Sequence, residues 1–122
     1  MTEFSLPHVS VASSGGEYFE VLFTQERDTF AQDEDCDDAY FLIQRQFESP
    51  DGGRVYLESH HVALCGHFRI RNAVLRRDVL RLEVVCQPAE TVQIRFQADH
   101  RLYERLKTTL RTIMPRRVLT IE

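Results

Sequence analysis

Apolar and polar residues alternate with a period of two through most of the chain up to Phe96, the pattern of strands that bury one face. Seven such segments are predicted. The first runs from Glu3 to Ala12 and ends at Ser13-Ser14-Gly15-Gly16; the second sets Phe19, Val21 and Phe23 on one face, which makes the pair a hairpin. Tyr40 to Glu48 places Phe41, Ile43 and Phe47 together, and Ser49-Pro50-Asp51-Gly52-Gly53 turns the chain into Val55 and Leu57. Phe68, Ile70 and Val74 form the fifth inward set, Leu80, Leu82, Val84 and Cys86 the sixth, and Val92, Ile94 and Phe96 the seventh. Pairing the fifth and sixth sets in phase calls for an odd loop, Arg76-Arg77-Asp78, which sets Arg71 opposite Glu83.

Leu102, Leu106, Leu110 and Ile113 then recur at helical spacing, so a helix is predicted over residues 99–114 with Asp99 as N-cap and Pro115 as the stop. Val118 to Ile121 can add a short strand. The expected fold is α+β, mainly antiparallel: about seven strands in a curled sheet or partly open barrel covered by one C-terminal helix, an order of elements similar to the pleckstrin-homology arrangement. At 122 residues, with 43% hydrophobic and 28% charged residues, the chain suits a single domain over 1–122 with a self-sufficient core.

Charge changes this picture at one place. Residues 26–38 hold seven acids and one base, a local net of −6, whereas the whole chain is −4, so the remainder sums to +2. Such a segment attracts a basic surface. Asp28, Asp33, Glu34, Asp35, Asp37 and Asp38 are therefore the candidate partner-binding residues. The Asp33, Asp35, Asp37 spacing imitates the start of a calcium loop, but Asp38 replaces the obligatory glycine and Gln44 the bidentate glutamate.

His60, His61, Cys65 and His67 lie within eight residues, a set of zinc-type donors. On one regular strand His61, Cys65 and His67 would span about 20 Å at ~3.3 Å per residue and could not share an ion without a sharp bend. His61, Cys65 and His67 are the candidates that an alternative reading, a pleckstrin-like or barrel module binding a small ligand or metal ion, would use; no cofactor is implied. No nucleophile elbow or phosphate-binding glycine loop occurs, so catalysis is not expected. Arg69, Arg71, Arg81 and Arg95 could line an outward stripe, but Glu83 interrupts it and the pI is about 5.7, which argues against nucleic acid. Three cysteines without a Cys-x-x-Cys pair fit reduced thiols, and the N-terminus lacks a signal-peptide pattern; a cytoplasmic protein, without membrane contact, is expected.

Tyr40-Phe41-Leu42-Ile43-Gln44-Arg45, Val55-Tyr56-Leu57-Glu58, the stretch Ala73 to Leu82, and Val92-Gln93-Ile94-Arg95-Phe96 followed by a helix with Tyr103, Leu106 and Leu110 resemble the immunity protein 10 family of bacterial polymorphic-toxin systems. Where that family is expected to carry a glycine-rich stretch around a tyrosine, this chain reads Cys65-Gly66-His67-Phe68-Arg69. The resemblance implies a toxin-binding inhibitor without catalysis of its own, with a cognate protein toxin as partner. A homodimer through an exposed strand edge is the further association to expect.

Overall fold

The computed structural model describes residues 1–25, 39–47, 52–86 and 88–122. Among these described residues, nine strands form a mainly antiparallel, open sheet with one helix near the C-terminus, as the alternation foretold in kind. The strands are β1 (Thr2–Ser5), β2 (His8–Ser14), β3 (Tyr18–Thr24), β4 (Tyr40–Gln46), β5 (Val55–Ser59), β6 (Gly66–Leu75), β7 (Val79–Val85), β8 (Glu90–Arg95) and β9 (Leu119–Ile121); the helix α1 is His100–Ile113. Their hydrogen-bonded order is β1-β8-β7-β6-β5-β4-β3-β2, with β9 on β6.

The predicted first strand is two strands. Pro7 lacks an N–H and fixes its own φ, so a continuous ladder fails there. β1 runs parallel to β8 with Phe4 opposite Ile94, while β2 runs antiparallel to β3 with Val11 opposite Val21. Leu6 N–H donates to Arg95 O and Gln97 N–H to Pro7 O, which fixes the crossing. β1 and β2 occupy opposite ends of the strand order, yet only Leu6 and Pro7 separate them. Three peptide units reach about 10 Å at most, so the sheet must curl until its two ends meet at this corner.

The expected hairpin between β2 and β3 is present. Glu17 N–H donates to Ser14 O across Gly15 and Gly16, whose φ values of 62° and 70° lie where glycine is favoured. The hairpin between β6 and β7 differs from expectation. Arg76 N–H donates to Val79 O, leaving the two-residue turn Arg77-Asp78, and Glu83 stands opposite Asn72, not Arg71. The phase is corrected within the strand: the register shifts between Ile70 and Asn72, so Arg71 is the extra residue of a bulge. Ile70 faces inward before it; Ala73 and Leu75 do so after it, in place of Val74.

The other edge of β6 is shared: among the described residues β5, which begins at Val55, pairs with it through Gly66, His67 and Phe68, and farther along β9 pairs with it from Ala73 to Leu75. The expected extra strand is therefore a parallel graft that completes β6.

The helix begins as predicted. Asp99 accepts a hydrogen bond from Leu102 N–H at 2.8 Å, and Met114 ends the helix in an extended conformation before Pro115. Tyr103, Leu106, Leu110 and Ile113 are buried against the sheet, and Leu102 is left half-buried at a rim. Arg45, on the inward side of β4, donates to Ile113 O at 2.8 Å, placing a cation on the helix's last carbonyls. The interior is tied across distant strands by Phe4 against Phe41 and Phe23 against Phe96, with ring centres 5.8 and 5.6 Å apart. No described helix is long and apolar enough to cross a membrane.

Candidate functional site

Asp28, Asp33, Glu34, Asp35, Asp37 and Asp38 lie outside the described residues. Their point of attachment does not. Thr24, the last residue of β3, pairs directly with Tyr40, the first of β4, so residues 26–38 spring from the paired ends of two neighbouring strands.

The register spreads a single polar and aromatic field over the outer face of those strands. Glu20, Gln44, Tyr56 and His67 form one row across β3, β4, β5 and β6; Leu22, Leu42 and Glu58 form the next, and Thr24 with Tyr40 closes the field at the acidic segment. Three of the chain's four tyrosines, Tyr18, Tyr40 and Tyr56, stand here, all half-buried among their neighbours. Tyr18 OH donates to Glu20 Oε1 at 2.6 Å, and Gln44 Nε2 donates to Tyr18 OH and to Glu20 Oε1. Glu58 accepts from two phenols, Tyr40 OH on Oε2 at 3.0 Å and Tyr56 OH on Oε1 at 2.8 Å. Among the described residues no ion pair reaches Glu20 or Glu58.

The phenols respond to this setting. Partial burial, then the hydrogen bond to Glu58 and that carboxylate's charge, push Tyr40 from 10.0 up to about 12. Tyr18 is raised by burial and by its bond to Glu20, Tyr56 by its bond to Glu58 first and burial second. A folded-state value above the unfolded one means that this network stabilises the fold below about pH 10 and ceases to do so as pH rises through about 12. An absorbance titration of phenolate is expected to show a late component with a midpoint of about 12. In Tyr40→Phe that component should be missing; its persistence there would refute the assignment.

The metal candidates are not gathered. The chain leaves β5 through His60 and His61, makes a 3-10 turn over Val62–Leu64, and re-enters the sheet at Gly66, so the bend that zinc would need exists but does not converge the donors. Cys65 is an exposed residue whose Sγ donates to Ser59 O at 3.3 Å; His67 packs on Tyr56 with ring centres 5.1 Å apart. Among the described residues no group of three His, Cys, Asp or Glu side chains is placed to hold a metal ion. Arg69, Arg71, Arg81 and Arg95 are exposed on β6, β7 and β8, with Glu83 half-buried among them.

An open groove of about 700 Å³ lies at the corner where the sheet's ends meet, lined in part by Pro7, His8, Leu22, Thr24 and Leu102. Among the described residues that line it, the one carboxylate is Asp99, whose Oδ1 accepts the helix-capping hydrogen bond.

Set against known protein families, curated proteins and solved structures, the chain finds no match. The tyrosine and glutamate face escaped the sequence reading, although its residues share even parity at Tyr18, Glu20, Tyr40, Gln44, Tyr56 and Glu58. Parity assigns them to one side of each strand; only the pairing register makes them neighbours.

Proposed function

We propose that this chain is a non-catalytic protein-binding inhibitor, a toxin-neutralising immunity protein of the kind its strand motifs resemble, acting in the cytoplasm on a basic protein partner. It docks that partner through the acidic residues 26–38 and the adjoining outer face of β3, β4 and β5. One observation carries the reading: the pairing of Thr24 with Tyr40 joins the −6 segment to a face bearing three tyrosines and two carboxylates that lack an ionic partner among the described residues. Tyrosine supplies contact area at low entropic cost, and concentrated negative charge speeds encounter with a cationic protein.

The test is growth rescue. The product of the gene immediately upstream is expressed in a bacterial host with and without this chain. Toxicity relieved by the wild-type chain is the expected result; a toxic product whose effect is unchanged by this chain, or a harmless product, overturns the proposal.

A further inference from the structure

Glu58 is a carboxylate already held in place but not neutralised. Its two oxygens each accept one phenolic hydrogen, from Tyr40 and Tyr56. An ionised carboxylate offers about four acceptor positions, so two remain, one on each oxygen. Both donors are uncharged phenols, which hold the carboxylate without supplying a positive charge.

The surroundings favour one kind of cation. Tyr56 precedes Glu58 by two residues on β5, and Tyr40 precedes Leu42, Glu58's cross-strand neighbour, by two residues on the antiparallel β4, which puts it diagonally beyond Glu58 on the side away from Tyr56, so the two rings flank the carboxylate. A guanidinium can place two parallel N–H groups on the free acceptor positions and lay its plane along an aromatic ring; an ammonium can do neither as well. The rotamer entropy that a surface glutamate normally loses on pairing is already lost here, because both phenols fix it.

We propose that Glu58, clasped by Tyr40 and Tyr56, is the receptor for an arginine side chain of the basic partner. The identity of the ligand as a partner's side chain rests on the function proposed above; the selectivity of the clasp for arginine does not.

The clasp is tested on the whole protein, labelled with ¹³C at glutamate carboxyl carbons and titrated at low salt with blocked Gly-Arg-Gly and, separately, Gly-Lys-Gly. Glu58→Gln identifies the Glu58 resonance by its disappearance. A saturable shift at Glu58 is expected with the arginine peptide, about threefold or more tighter than with the lysine peptide, and weakened about threefold or more in Tyr40→Phe/Tyr56→Phe. Circular dichroism checks that this double variant is folded, and Tyr56→Phe alone serves if it is not. Equal responses to the two peptides, or no saturable shift at Glu58, overturn the proposal.

The growth assay separates the two ideas. An arginine response at Glu58 without rescue by the wild-type chain retains the clasp and removes the immunity role. Rescue that Glu58→Gln leaves undiminished removes the clasp as the partner's anchor and retains that role.

Discussion

Phe23→Ala is expected to lower folding stability by about 3–5 kcal/mol, the cost of removing a fully buried ring and leaving a cavity that rigid neighbours cannot fill. The position is demanding for a reason specific to this fold. Phe23 lies on β3, and the ring it meets at 5.6 Å belongs to Phe96, just beyond β8. Those elements are far apart in the strand order and meet only because the sheet curls. A domain of this class has about 5–15 kcal/mol in total, so the variant forfeits a large share. Urea denaturation measures it directly. Phe47→Ala is the comparison: Phe47 is 43% exposed and its ring touches Phe19 and the Arg45 guanidinium, so a loss of about 1 kcal/mol or less is expected. Should Phe23→Ala cost no more than Phe47→Ala, the wrapped core described above would be wrong.

Replacing Asp33, Glu34, Asp35, Asp37 and Asp38 with their amides takes the formal charge from −4 to +1, since five negative charges are removed. At low salt the association rate with the partner identified by growth rescue is expected to fall about tenfold or more, because steering by concentrated charge raises encounter rates by 10–10³. At ~0.15 M salt, where the screening length is about 8 Å, the loss should shrink. Dissociation should change less, because long-range steering acts mainly on the approach. The thermal midpoint should hold or rise slightly, since closely spaced like charges repel. Stopped-flow measurement across a salt series decides the matter. A salt-independent rate identical to wild type would remove the acidic segment from the mechanism.

Several features were legible along the chain for local reasons. The Gly15-Gly16 turn, the Asp99 cap and the Pro115 stop each depend on backbone angles or donors that a few adjacent residues settle. The split at Pro7 left a trace that alternation alone obscured: Phe4 and Leu6 have even parity, Val9 and Val11 odd, so the inward phase changes at the proline. The Arg71 bulge left a similar trace in Ala73, too small to stand out as a core residue yet fully buried. An odd loop and a bulge restore phase equally well, and only the pairing distinguishes them.

By itself the sequence determined that strands would form, where the helix would start and stop, and that negative charge would gather in residues 26–38, because propensity, capping and charge are properties of neighbours along the chain. Tertiary structure alone decided that two consecutive strands end on opposite edges of the sheet, that β9 completes β6, and that Tyr40, Tyr56 and Glu58 meet. Those outcomes depend on register and curl. Both are set by how distant apolar faces pack together, which no local stretch of residues encodes.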